Sequence, residues 1–366
     1  MERWDVVIIG AGVVGCAVAQ RLAGSGLTVL LIESARKEGT GLTSRNSGVV
    51  HSGLYYPPGS LKARLCLEGQ ARLYAWCDAH RVPVQRCGKL VVASGGAQRG
   101  ALEALVDNAR ASGAEGLRLL SRAEAVELEP ILAAGPVELA LWSPNSGIVD
   151  AHGLTHSLRV AAESAGVDVA FHGHVNAIER RDGRWEVGTE RGTIEAARLV
   201  NAAGLQSDAL ARVAGLTSYR HRLSRGDYYR WQGAPVFQRL IYPVRVPGDP
   251  GLGVHVTREL DGGVRLGPDA KWIDREERSA PPASLAAIFS ERIETLIGPL
   301  PSGELTWDGY GVRPKLVQED GTPVEDFMVV RHQETSWHLL GIESPGLTAA
   351  LALGRLVGEE VLDTHP

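Results

Sequence analysis

The stretch DVVIIGAGVVG, residues 5–15, constrains the fold more than any other part of the chain. Asp5 to Gly10 is a short apolar run closing on glycine, the pattern of a strand buried on both faces in a parallel sheet. Gly10, Gly12 and Gly15 form GxGxxG, and Val13 to Ala23 then reads as a helix stopped by Gly24-Ser25-Gly26. Thr28 to Ile32 is a second apolar strand with Glu33 at its end, eighteen residues beyond Gly15. Each part has a mechanical reason. Gly10 permits a tight turn, Gly12 lets backbone approach a pyrophosphate, and Gly15 lets the helix lie close on the strand. The first turn of the helix offers free N–H groups and a positive dipole end to phosphates. Glu33 is placed to accept hydrogen bonds from a ribose diol, and its charge disfavours a 2′-phosphate. Glycine is abundant here (44 of 366 residues), but abundance alone does not reproduce this order. The unit predicts a dinucleotide-binding domain.

The rest of the chain is ordinary globular material, long enough for two lobes: 44 % hydrophobic and 22 % charged. A net charge of -5 and no block of like charge speak against a nucleic-acid surface. Cys16, Cys66, Cys77 and Cys87 form no CxxC pair, so no disulfide framework is expected and a reducing cytoplasm is the default. The apolar N-terminal run has the length of a signal-peptide core, but Glu2 and Asp5 flank it and glycines interrupt it. No stretch reaches membrane-spanning length, and a soluble protein is expected.

The fingerprint does not separate NAD from FAD. The segment after the second strand favours FAD. KEGTGLTSRNSG is rich in small polar residues and glycine, suited to wrapping an extended cofactor whose reactive ring lies far from its adenine. It leads into SRNSGVVHSGLYY, residues 44–56, and beyond that stretch Ser60, after Pro57-Pro58-Gly59, is expected to cap the next helix.

Several longer segments resemble one superfamily: NSGVVHSGLYYPPGSLKARLCLEG (46–69), CGKLVVA (87–93), RGDYY (225–229), IYPV with GVHVTRELDGGVRLGPDA (241–270), GVRPKLVQEDG (311–321) and ESPGLTAALALG (343–354). The chain resembles the D-amino-acid oxidase-like superfamily of FAD-dependent oxidoreductases, and within it the L-2-hydroxyglutarate dehydrogenases and oxidases. The resemblance implies an α/β fold: a Rossmann-like FAD-binding domain (1–86, 150–215 and 310–366) interleaved with a mostly antiparallel α+β substrate domain (87–149 and 216–309). RLVNAAG, Arg198 to Gly204, fits a returning parallel strand. GVHVT and GGVRLG around Asp261-Gly262-Gly263 read as a hairpin, and Ser284 to Ile297 as an amphipathic helix. The cofactor contacts implied are Gly10, Gly12, Gly15, Glu33, Ser34, Thr43, Ser44, Asn46, Ser47, Gly48, Val49, Val175, Ala203, Gly204, Gly341, Gly346, Leu347 and Thr348.

Oxidising a 2-hydroxy acid at a flavin requires hydride to leave Cα toward flavin N5, a base for the hydroxyl proton, cations on the carboxylate, and stabilisation of the reduced flavin. A base titrating near neutrality favours histidine. By resemblance His51 passes beside the flavin ring, and His255 occupies the position where related oxidases place an active-site tyrosine. The sequence does not rank them; His255 is favoured as base, with His51 polarising or orienting. Arg313, in GVRPK, matches the superfamily's carboxylate clamp, and a guanidinium fork suits that task. Arg225 is a second choice, and Tyr56, Tyr229 and Tyr242 are candidate hydroxyl donors, with core or interface packing at least as strong an alternative for each. Ser344 to Thr348 precede a helix expected over AALALGRLVGEE, whose N-terminal dipole would face the flavin pyrimidine edge.

Lys315 and Glu343 depart from the usual pattern of the 2-hydroxyglutarate group. Lys315 suits a dicarboxylate substrate, while Glu343 adds an anion nearby, and a pairing of the two is also open. His152 with His156, and His172 with His174, lack a carboxylate or cysteine to complete a zinc pattern, and no metal is expected. An amine or amino-acid oxidase on the same fold is the competing reading. The electron acceptor (oxygen, a quinone or another carrier) and the oligomeric state are left open.

Overall fold

The computed structural model describes residues 2–234, 236–245 and 253–364. Among them two large sheets lie at the base of the architecture. The first has eight strands and a parallel centre, in which Gly192–Asn201, Arg3–Ile9, Val29–Ile32 and Asp168–Ala170 run side by side. Val6 to Ile9 are buried, as a strand covered on both faces must be. Ile9 pairs with both Asn201 and Ile32, so Gly10, Glu33 and Ala202 leave the sheet at one edge. That edge, at the carboxyl ends of parallel strands, is where open α/β sheets bind ligands.

The helix Val13–Leu22 ends within a residue of the expected break. It is packed between Ala151–Ser164 and the C-terminal helix Gly346–Asp363. Closeness is enforced at Gly354, where a Cβ would stand 2.6 Å from the Ala17 carbonyl oxygen. The C-terminal helix starts at Gly346, earlier than the sequence suggested, so Leu347 and Thr348 belong to its first turn.

The second sheet has ten strands and is mostly antiparallel. Its spine is the long pair Tyr219–Gly233 and Gly303–Gln318, in register so that Ser224 faces Arg313. The expected hairpin is formed by Val256–Arg258 and Val264–Leu266, and the expected helix by Leu285–Ile297. A domain boundary at residue 310 cuts through Gly303–Gln318. That strand runs on past the position, with a register shift at Asp308 and Gly309 opposite Tyr228, and it belongs to the second sheet over its whole length. A small sheet of Val49–Val50, Gly147–Val149 and Val84–Gln85 lies where the two lobes meet. All four cysteines are free and buried. Among the described residues no helix is long and apolar enough to cross a membrane.

Candidate active site

One cavity of about 1140 Å³ runs from the glycine-rich edge of the first sheet to the second sheet. Ligand pockets commonly span ~300–1,000 Å³, so this one has room for an extended dinucleotide and a small second molecule. Of the expected cofactor contacts, Gly10, Gly12, Glu33, Ser34, Thr43, Asn46, Ser47, Gly48, Val49, Val175, Ala203, Gly204, Gly346, Leu347 and Thr348 line it. Gly15, Ser44 and Gly341 do not. Gly15 serves packing, since a Cβ there would stand less than 2.5 Å from the Gly10 carbonyl oxygen. The Ser44 hydroxyl is turned back onto the Thr40 and Gly41 carbonyls. Gly341, at φ +65°, lies against Leu316.

At the nucleotide end, Gly10 has φ +101° and a Cβ would meet the Ala202 carbonyl oxygen at 2.6 Å, so only glycine leaves this backbone open to a ligand. Helix Val13–Leu22 begins at Gly12 with no side-chain cap from that residue. Glu33 accepts from the Ala11 and Ala35 N–H groups, each at 2.8 Å. Those bonds fix the carboxylate at the cavity wall. The Asn46 side chain shapes its own loop as an Asx turn does: it donates to the Thr43 carbonyl and accepts from the Gly48 N–H. Its amide has a second N–H, so this geometry is compatible with the expected role as a donor to the cofactor.

The other end of the cavity brings His51, Tyr56, Tyr242, His255, Arg313 and Lys315 together. His255 is buried and stacked on Tyr242, ring centres 3.7 Å apart. Its Nδ1 lies 2.8 Å from the Gly253 carbonyl oxygen. A carbonyl only accepts, so Nδ1 carries the hydrogen and Nε2 of the neutral ring is an acceptor. Burial pushes the His255 imidazole down to about 3, with Lys89 and Arg313 adding to the effect. Burial likewise holds His51 well below the usual range, helped by Lys89 and His255. His51 is fixed through its N–H to Thr348 Oγ1 (3.0 Å) and through Nε2 to the Ser344 hydroxyl (3.1 Å). Its Nδ1 is buried with no partner among the described residues, a valence that a bound molecule would satisfy.

Arg313 projects from the Gly303–Gln318 strand and makes no ion pair among the described residues; its only hydrogen bond there is a long one, 3.5 Å, to the Asp269 carbonyl. Arg225 is different. It is buried, bonded to both oxygens of Asp227 at 3.0 and 2.7 Å, and donates to the Glu277 and Ser279 carbonyls. With its donors committed and outside the cavity wall, it is not available as a substrate clamp. Lys315 is paired with Glu343 at 2.8 Å, and Lys62 holds the same carboxylate at 3.1 Å. Burial pushes the Glu343 carboxyl upward, but the two ammonium groups outweigh it and hold the group below its usual range. Sequence reasoning missed Lys62, Tyr228 and Asp269, all in the cavity wall, and Lys89 behind it. Only Lys89 left a signal, a lysine heading the apolar run KLVVA.

A family model described as FAD dependent oxidoreductase matches residues 5–360. The mitochondrial L-2-hydroxyglutarate dehydrogenase of Arabidopsis thaliana is 34 % identical, over 99 % of this chain and 84 % of that protein. The L-2-hydroxyglutarate dehydrogenase of Indibacter alkaliphilus is 31 % identical, over 98 % of this chain and 99 % of its relative. Among solved structures, the FAD-bound, dithionite-reduced L-alpha-glycerophosphate oxidase of Mycoplasma pneumoniae matches with a TM-score of 0.86 at 26 % identity, over 99 % and 95 % of the two chains. Glycine oxidase from Geobacillus kaustophilus shares the fold, with a TM-score of 0.85 at 23 % identity, over 100 % and 96 %.

Proposed function

The chain belongs to the FAD dependent oxidoreductase family, and on that premise we propose that it oxidises L-2-hydroxyglutarate to 2-oxoglutarate. The relatives at 34 and 31 % identity are named for that substrate. The observation that carries the reading is the pairing, in one cavity wall, of an imidazole with a free acceptor nitrogen and a guanidinium without an ion pair among the described residues.

FAD would be held along the glycine edge by Gly10, Gly12, Glu33 and Gly48, and by the first turn of Gly346–Asp363. When bound it supplies the acceptor for the two electrons that leave with the Cα hydrogen. Arg313 binds the carboxylate next to the reacting carbon, its fork matching both oxygens. His255 Nε2 takes the hydroxyl proton as the carbonyl forms, and its Nδ1–H bond to Gly253 holds the tautomer that makes this possible. His51, anchored by Ser344 and Thr348, orients the hydroxyl. Tyr56 and Tyr242 close the wall and limit water. The Lys62–Glu343–Lys315 group carries one net positive charge and suits the second carboxylate of a five-carbon diacid. Four free, buried cysteines suit a reducing compartment such as the cytoplasm.

A steady-state screen with an artificial electron acceptor tests the substrate class. Turnover of L-2-hydroxyglutarate well above that of amino acids is expected. Turnover of amines or amino acids alone would contradict the reading.

A further inference from the structure

Lys89 heads the strand Lys89–Ala93, every residue of which is buried. The proposed reaction does not use it, and the usual fates of a buried lysine do not describe it. Among the described residues its Nζ has no hydrogen-bond partner and no ion pair. A lone buried ammonium is costly for a fold, so such groups are normally paired.

What faces Lys89 is aromatic and titratable. Nζ stands 4.1 Å from the centre of the Tyr242 ring and 5.7 Å from that of Tyr55. The His255 imidazole is stacked on Tyr242 at 3.7 Å with planes 21° apart. The imidazole fills one face of the phenol ring, which leaves the other to the ammonium. Both histidines and both tyrosines line the cavity; Lys89 lies one layer behind. The other titratable groups around the amine are Cys66, from the helix Leu61–His80, and Cys87, just before its own strand. Across the sheet it is paired with Ser143 and Leu240, neither of which is charged. Among the described residues no carboxylate acts on it. Burial pushes Lys89 down to about 7, so near neutrality the amine sits between its charged and neutral forms.

We propose that Lys89 is a positioning residue for the oxidation: across the Tyr242 ring, its charge adds to burial in keeping His255 and His51 neutral and able to accept a proton. The proposal rests on the reading of His255 as base. The physical content is repulsion between like charges. An ammonium under ~8 Å from an imidazole in a partly desolvated wall moves that imidazole's titration by roughly one pH unit. Once His255 has taken the substrate's proton, the same repulsion favours its release and restores the base.

The test uses the FAD-loaded full chain. Because burial pushes the His255 imidazole down to about 3, the rate of flavin reduction by L-2-hydroxyglutarate is followed, in brief pH jumps, from about pH 2.5 to about pH 9 for the unmodified protein and for Lys89→Met, which keeps the length and removes the charge. The variant's acid limb is expected to lie higher by roughly one pH unit. Coincident profiles overturn the proposal even if the variant is slower throughout, because a structural lysine lowers the plateau and leaves the midpoint in place.

A second readout requires neither a folded variant nor turnover. The chain has only five lysines, Lys37, Lys62, Lys89, Lys271 and Lys315, so isotope-labelled lysine and histidine give an interpretable NMR titration. One lysine resonance titrating near pH 7, with an imidazole resonance shifting at the same midpoint, is expected. Lysines that all titrate in the ordinary range, or imidazoles that do not respond, overturn the proposal. Failure of every 2-hydroxy acid to reduce the flavin would instead count against the proposed reaction, and the NMR titration would still decide the coupling of Lys89 to the imidazoles.

Discussion

Replacing Lys89 by methionine is expected to make the folded protein more stable, in a way that depends on pH. Unfolded, the lysine keeps its proton up to the ordinary value of 10.5; folded, it releases it near 7. Between these limits the unfolded chain binds more protons, so stability of the unmodified protein rises with pH, and the full penalty is present below pH 7. The gap from 10.5 to about 7 is worth ~5 kcal/mol as an upper bound, and relaxation and water entry reduce it to about 2–3 kcal/mol. Contact with the Tyr242 face offsets ~1 kcal/mol of that. Methionine has the same reach and no charge, so the variant recovers about 1–2 kcal/mol at pH 7. At pH ~9.5 only about a third of the pH-dependent span remains, and the gain shrinks in proportion. Urea denaturation at both pH values, with FAD at a fixed excess because ligand binding itself stabilises, reads the difference. A variant less stable by the same amount at both pH values would refute the reasoning, since it would show that the lysine stem packs and its charge costs nothing.

Three further outcomes follow from the site. Arg313→Met is expected to lower kcat/KM for L-2-hydroxyglutarate by ~10²–10³-fold, the loss of a charged bidentate contact, with Arg313→Lys between the two in steady-state kinetics. Arg225→Met leaves Asp227 buried without its partner and is expected to cost about 3–5 kcal/mol in denaturant unfolding, while KM of whatever protein folds stays near that of the unmodified chain. Gly10→Ala drives a Cβ toward the Ala202 carbonyl at a φ that L side chains rarely adopt. Its FAD is expected to be lost on gel filtration, which absorbance of the eluted protein measures.

Much of the nucleotide lobe was legible because its signals are local. Strand, glycines, helix and Glu33 fall within thirty-three residues, and each is dictated by turn geometry or burial. Ser60 was readable for the same reason, and its hydroxyl caps the helix Leu61–His80 at the Ala63 N–H. The boundary at 310 was not, because the continuity of Gly303–Gln318 depends on a partner some ninety residues away, an order of separation that no local pattern encodes. Arg225 was misread although a clue lay beside it. Residues two apart in a strand share a face, so Asp227 was its natural partner. Asn46 followed by Gly48 also carried a local Asx-turn signal. The stacking of Lys89, Tyr242 and His255 joins three strands or their ends and becomes visible only in three dimensions.

The central claim is that a bound flavin and the His255–Arg313 wall share one cavity and act on one enantiomer of a hydroxy diacid. Anaerobic mixing of the purified, FAD-loaded chain with L-2-hydroxyglutarate tests it most directly. Loss of the flavin band near ~450 nm with the L form, and none with the D form, is the predicted result. A protein that holds no flavin, or a band unmoved by the L form but bleached by an amino acid, would contradict the account.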